Sequence, residues 1–210
     1  MTTDRGFLLA VGRVVAVTSN DGTGSRGPYA KGVQRRQEIL DETLEVIASR
    51  GIDGASLRAI GEAIGVSHAA LRHYFSSREA LLVEVLRQRD EASVRSVEHL
   101  PGVFDRLAAS ANDNVGEPAL VTLYTTLLGA SVESGNETAR DFFAARFAEA
   151  RRDFSAQLRD ELAASGRHSD ADLDQVASLI IAAFDGLQVQ WLLDRRIDIA
   201  GTLRLLERVL

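Results

Sequence analysis

The sequence predicts an all-α protein: an N-terminal three-helix unit containing a helix-turn-helix, followed by a larger C-terminal helical domain. Three observations carry this. From Lys31 onward apolar residues recur at helical spacing, and no run of any length alternates with the period of two that a strand needs. Two short helical stretches are joined by Gly65-Val66-Ser67, a three-residue turn with glycine first, the mark of a helix-turn-helix. Past Leu100 the stretches lengthen, with Pro101 and the 112–118 segment as punctuation.

Taken in order, Gly6 to Val17 is apolar but interrupted by Arg13, and is shorter than the about 20 residues of a membrane span. Asp4 nearly cancels Arg5, so the basic start of a signal peptide is missing. Ser19 to Pro28 has the composition of a flexible linker. Residues 1–30 are therefore expected to be a flexible tail or a misassigned start, with a docking arm as the alternative. No other segment is expected to cross a membrane, so no membrane partner is expected.

The first helix is expected from about Gly32 to Arg50, with Leu40, Thr43, Leu44, Ile47 and Ala48 on one face and Gly51 stopping it as a C′ glycine. Ser56 caps a helix from Leu57 to Ile64 whose inward face is Leu57, Ile60 and Ile64. Ala63 is read as the small residue that lets the two short helices approach, and Gly61 as a further close-packing position. Ser67 caps the next helix, His68 to Tyr74. Leu71 and Phe75 turn inward, leaving His68, Ala69, Ala70, Arg72 and His73 outward. Ser76-Ser77 caps a fourth helix from Arg78 to about Val94. Longer helices follow at about Val103–Ala111, Ala119–Glu133, Glu137–Ala164, Ala171–Asp194 and Ile199–Val209, with a polar turn over 165–170. The implied division is residues 1–30, 31–82 and 83–210.

Composition narrows function. There is no cysteine, which excludes disulfides, thiol catalysis and cysteine-based zinc sites, and makes a cytoplasmic location the expectation. The four histidines, His68, His73, His99 and His168, are dispersed, and no Glu-x-x-His pair, glycine-rich phosphate loop or nucleophile elbow occurs. No catalytic residue, metal or cofactor is expected, and an all-helical enzyme is the weaker reading. The net charge is −6, but residues 1–90 hold 12 Lys/Arg against 11 Asp/Glu while residues 91–210 hold 12 against 19. The acidic excess thus lies in the second half, and a local basic face in the first half can still meet phosphates.

The run from Ser56 through Gly65-Val66-Ser67, the closing pair Tyr74-Phe75 and Ser77-Arg78-Glu79-Ala80-Leu81 resembles the DNA-binding domain of the TetR family of bacterial regulators, over about residues 33–86. That resemblance implies that Ser56 and Ser67 cap the two helices at the DNA face, and that Arg58 reaches a base or phosphate. His68, Ala69 and Ala70 would read base edges, and Tyr74 and Arg78 would touch backbone phosphate. Arg72 stands where the family often has tyrosine, and can still pair with phosphate or guanine. His73 is equally a phosphate contact or a solvated ring. Solvated surface charge is the alternative for the arginines, and Lys31, Arg35 and Arg36 are open between flanking phosphate contacts and an ordinary exposed helix start.

The resemblance continues more loosely into Ala183 to Asp194. By analogy the two long helices pair with their twofold mates as a four-helix bundle. Val176, Leu179, Ile180, Ala183, Leu187 and Trp191 form an apolar stripe that reads equally as dimer interface or as core of one protomer. Tyr124, Phe143, Phe147 and Gln188 are candidates to line an effector cavity between the middle helices, with plain core as the alternative. The resulting expectation is a ligand-responsive transcriptional regulator, a repressor, binding a palindromic double-stranded DNA operator as a homodimer and answering to an unidentified small-molecule effector. A helical interaction module that has lost DNA binding is a third reading.

Overall fold

A computed structural model describes residues 28–166 and 172–209. Among the described residues every regular element is a helix: α1 Pro28–Gly54, α2 Leu57–Ile64, α3 His68–Tyr74, α4 Arg78–Val97, α5 Val103–Gly116, α6 Pro118–Ser131, α7 Glu137–Ala164, α8 Leu173–Leu193 and α9 Ile199–Val209. Most of the expected tail, residues 1–27, lies outside the described residues, as do His168 and most of the polar turn. Residues 28–30, expected in the tail, instead open α1.

Local chemistry sets the short helices. The hydroxyls of Ser56, Ser67 and Ser77 accept from the backbone N–H groups of Ala59, Ala70 and Ala80 at 3.1, 3.1 and 3.0 Å. Gly51 adopts φ 71° and breaks the helical path of α1, and Gly65 closes α2 in the left-handed conformation at φ 67°. Helices of seven or eight residues are too short to persist alone. Ile60 and Leu71 are fully buried, and such burial supplies about 1.5–3 kcal/mol each, which holds α2 and α3 in place.

Two apolar clusters organise the molecule. The first joins Ile39, Leu40 and Leu44 of α1 to Ile60, Leu71, Phe75 and Leu82, and runs on into Leu123 and Leu127 of α6 and Phe143 of α7. The second gathers Val103 and Phe104 of α5, Val121 of α6, Ile180 and Trp191 of α8, and Ile199 and Leu203 of α9. α4 links the two regions. Its start packs in the first cluster, while Val94 and Val97 near its end are buried toward the C-terminal helices.

Further sequence expectations change. On α1, Ala48 is exposed, whereas Ile39 and Val46 are buried, because α4 and α6 as well as α2 cover this helix and widen its apolar stripe. On α2, Ala63 is exposed, and the close approach is made by buried Gly61. α5 runs five residues past Ala111 despite its Asn and Asp content, with the Asn114 amide donating to Gln188 at 2.9 Å, and Pro118 then opens α6 in the first turn, where its missing N–H costs nothing. Finally, α8 is long and apolar enough by length and composition to cross a membrane, which the sequence reading overlooked. Its apolar character is spread over two sides, and only one faces this protomer's core.

Candidate nucleic-acid interface and effector cavity

The helix-turn-helix presents one outward face. His68, Ala69, Arg72 and His73 are exposed on α3, and Ala70 and Tyr74 are half-buried at its edges. Tyr74 packs against the first apolar cluster while its ring meets His73 edge-on at 5.6 Å between centroids. Ser67 stands exposed at the N-terminus of α3, and a shallow groove lined by Arg58, Gly61, Glu62, Val66, Ser67 and His68 lies beside it. Val66, in the turn, packs half-buried between the two short helices.

The cations differ in how committed they are. Among the described residues Arg72 makes no ion pair or side-chain hydrogen bond. Arg58 is 83% exposed and pairs with Glu62 one turn away at 2.9 Å, which holds its guanidinium above the usual value. Arg78 is turned into the domain. Its Nε donates to the carbonyl of Ala55 at 2.8 Å and its Nη2 to that of Ile52, so it ties the start of α4 to the end of α1. Arg36 likewise points inward: it pairs with Glu84 at 2.5 Å and lies over the Phe75 ring at 5.1 Å. Arg35 pairs with Glu38 at 2.7 Å. The serine spacing announced both caps, but nothing local announced the inward turn of Arg78, because its acceptors lie 23 and 26 residues away.

A second feature sits between α4, α5, α6, α7 and α8: a cavity of about 130 Å³. Of the four residues expected to line it, Tyr124 and Gln188 do. Phe143 and Phe147 do not. Phe143 is buried in the first apolar cluster, edge-on to Tyr124 at 5.4 Å, and Phe147 packs beside it. The cavity is instead lined on this side by Arg146, which lies between them in sequence.

Arg146 organises the polar end of the cavity. Its Nε and Nη2 grip the two oxygens of Asp90 at 2.9 and 3.2 Å, in a pair whose side chains are only 18% and 15% exposed. Its Nη1 donates to the Tyr124 hydroxyl at 3.2 Å, and that hydroxyl donates to Asp185 at 3.0 Å. Burial pushes both carboxyls up from the ordinary carboxylate range, against the opposing pull of Arg146. Burial also raises the Tyr124 hydroxyl. On Arg146 burial opposes the charge, but Asp90, Tyr124 and Asp185 together carry it above its usual value. Asp90, Arg146 and Asp185 were missed in the sequence. Asp185 was legible: it is the one carboxylate past the first turn of the apolar helix α8.

The six-residue apolar stripe of α8, open in the sequence between dimer interface and core, divides. Ile180 and Trp191 are buried in the second cluster, with Val176 and Leu187 packed against it and Ala183 half-buried. They are the protomer's own core. Leu179 alone of the six is exposed, at 51%. It begins a different stripe, Leu179, Ala182, Gly186, Val189 and Leu193, at alternating spacings of three and four residues, with Leu193 86% exposed.

A capped two-helix reading head, joined by one helix to a bundle with its own cavity, defines a DNA-binding helix-turn-helix regulator. Residues 39–85 match the family model for bacterial regulatory proteins of the tetR family, and residues 105–210 match that for the C-terminal domain of BetI-type transcriptional repressors. The chain belongs to the TetR family of bacterial transcriptional regulators, which are not enzymes. It is 27% identical over 174 residues to the HTH-type transcriptional regulator PksA of Bacillus subtilis, covering 77% of this chain and 80% of that one. Two solved structures share the fold. A transcriptional regulator from Saccharomonospora viridis in complex with choline superposes with a TM-score of 0.64 at 20% identity, covering 84% of this chain and 95% of that one. The regulator FadR from Bacillus subtilis in complex with stearoyl-CoA gives 0.62 at 18%, covering 80% and 93%.

Proposed function

We propose that this regulator is a ligand-responsive repressor that binds a palindromic operator as a homodimer. The observation that carries the reading is the position of the cavity: its polar end includes Asp90 of α4, the helix whose start is tied by Arg78 to the end of α1, just before the helix-turn-helix. An effector that prefers one disposition of α4 would thereby shift the population of DNA-competent molecules. The two related folds hold choline and stearoyl-CoA respectively, so the shared architecture accepts unlike ligands and does not by itself name one.

On the DNA side, His68, Ala69 and Ala70 begin the recognition helix where base edges are met, with Arg58, Arg72, His73 and Tyr74 around them and the Ser56 and Ser67 caps at the helix starts. Arg78 serves mainly as an internal tether in this reading. The second copy is taken to dock on the exposed α8 stripe from Leu179 to Leu193, whose spacing suits helix pairing. Selection of bound duplexes from a random pool tests the proposal. Enrichment of an inverted repeat is the expected result, and enrichment of no motif would remove the operator-binding reading.

A further inference from the structure

The long helix α7 begins with a cap that is not its own. The first turn of any helix leaves backbone N–H groups without helical acceptors. Asn136, in the cap position, makes no side-chain hydrogen bond to them, and its amide donates instead to the Ala130 carbonyl at 2.7 Å. The N–H of fully buried Ala139 is taken at 2.9 Å by Glu79 Oε1, from α4, 60 residues earlier in the chain. A carboxylate suits this place, because a helix N-terminus carries partial positive charge. The position of the bond gives it a consequence beyond its strength. Among the described residues, the hydrogen bonds and ion pairs that leave α1, α2 and α3 end on one another, on their turns or on α4. α1 also meets α6, but through apolar packing with Leu123 and Leu127, which has no direction of its own. α4 therefore carries the directional links between the reading head and the rest. It is held on α7 at its start by Glu79 and past its middle by Asp90 on Arg146, with Arg87 over the Phe142 ring between them. Glu79 and Asp90 are three helical turns apart, about 16 Å, and within about 20° of the same face. Two holds at that separation fix the crossing of α4 on α7, and the one at the head end is Glu79.

Resting on the reading of the chain as a homodimer on a palindromic operator, we infer that Glu79 is a positioning residue for DNA recognition. Its grip on the first turn of α7 fixes the angle of the reading head on the C-terminal helices, and with it the half-site spacing that the dimer accepts. A half-site displaced by one base pair lies about 3.4 Å further along the duplex and about 35° around it. A head that follows it tilts α4 on α7, and in the parent this breaks the Glu79 bond. Without that bond there is nothing to lose. The bases read by α3 are a separate matter, since α3 is held on α2 by Leu71 and Val66 and by contacts that Glu79 does not enter. Arg78 and Glu79 thus divide the work of one turn of α4: the first ties it to the head, the second to α7.

The full chain is tested on duplexes that keep the half-sites selected by the parent and vary the spacer by one base pair either way. Glu79→Ala and Glu79→Met, the second keeping the length of the stem, are expected to select the same half-site bases. Their discrimination between the best spacer and its neighbours is expected to fall by about tenfold or more, the worth of a hydrogen bond to a charged group. Either variant decides the matter if the other folds poorly. Glu79→Gln keeps an acceptor for the Ala139 N–H and is expected to restore the parent's spacer preference. A purely structural role for Glu79 would weaken binding to every spacer alike, and that result overturns the inference. So does a Glu79→Gln protein that behaves as Glu79→Ala, or a parent indifferent to spacer length. A second measurement needs no DNA. The chain has no cysteine, so Glu45→Cys, exposed on α1, places one spin label on each head. The label-to-label distance distribution, read by pulsed dipolar spectroscopy, is expected to broaden in Glu79→Ala and not in Glu79→Gln, and an unchanged width overturns the inference. A parent that selects no inverted repeat removes the operator reading, whereas a parent that selects one while its Glu79 variants keep its spacer preference removes this inference alone.

Discussion

Gly61 shows how a single residue decides the geometry of the reading head. A Cβ at this position would stand 2.5 Å from the Val66 carbonyl oxygen and 3.2 Å from a Leu71 methyl carbon. The carbonyl belongs to the backbone of the turn, and the Val66 N–H is itself bonded to the Gly61 carbonyl at 2.8 Å, so it has little room to yield. Gly61→Ala therefore gains about 1 kcal/mol of helix propensity but meets an overlap costing about 1–3 kcal/mol, and the steric cost wins. The expected outcome is a melting temperature lower by a few degrees, measured by circular dichroism, and weakened DNA binding as α3 shifts on α2. Asp153 on α7 poses an electrostatic case. Partial burial, then the neighbouring Glu149, pushes its carboxyl up to about 6, and its Oδ2 has no hydrogen-bond partner. The folded state thus holds this proton more tightly than the unfolded chain, whose value is about 3.9. Its contribution to stability falls as pH rises from about 4 to about 6, and stays unfavourable above that. Asp153→Asn is expected to melt higher than the parent at neutral pH, with the gap closing below about pH 4. A gap independent of pH would show that packing rather than charge sets the difference.

At the scale of the element, α4 is the member whose attachments matter most. Arg78 binds its first turn to carbonyls at the end of α1 and just after it, Glu79 accepts from the Ala139 N–H at 2.9 Å, and Asp90 holds Arg146 of α7. Arg78→Ala leaves the carbonyl of fully buried Ala55 without this donor. Charged hydrogen bonds of this kind contribute about 1.5–3 kcal/mol each, so a loss of about 2 kcal/mol or more in urea unfolding is expected. Arg78→Lys separates tether from phosphate contact. It keeps the charge but lacks the fork, so it is expected to lose comparable stability. The same elements show what the sequence disclosed. α2, α3, α7 and α9 begin and end where the residues said, since serine caps, the Gly65 turn and the helical period are all local signals. The faces of α8 were less legible. Ile180 and Leu179 are adjacent apolar residues, yet one is fully buried and the other half exposed, because a helix turned about 100° per residue presents them to different neighbours. With apolar residues on both sides, composition does not say which side meets the protomer's core. Phe143 and Phe147 misled for a related reason. They bracket Arg146 in sequence, but the cavity selects the charged residue, whose partners Asp90 and Tyr124 come from other helices.

For the whole molecule the decisive question is symmetry. One reading head carries α3 alone, and a palindromic operator needs two heads spaced by one turn of DNA, about 34 Å. The stripe Leu179, Ala182, Gly186, Val189 and Leu193 lies on the side of α8 away from the core residues Ile180 and Trp191, and its small central residues would let a partner helix come close. A twofold contact of this kind presents the same surface from both copies, so one substitution acts twice across the interface. Val189→Glu together with Leu193→Glu places two carboxylates on a surface that is already exposed in the protomer, at 42% and 86%. The cost to the fold is therefore expected to stay within about 0.5 kcal/mol per site, as for other surface substitutions. The cost to association is large, because four charges would be brought together and stripped of water. Sedimentation velocity is expected to show the parent as a dimer and the double variant as a folded monomer, with operator affinity lost in step. Ile180→Glu supplies the contrast, since burying a carboxylate in the protomer's core should unfold the domain rather than merely split the pair. A double variant that stays dimeric would exclude the Leu179–Leu193 stripe as the twofold contact and move it to another face.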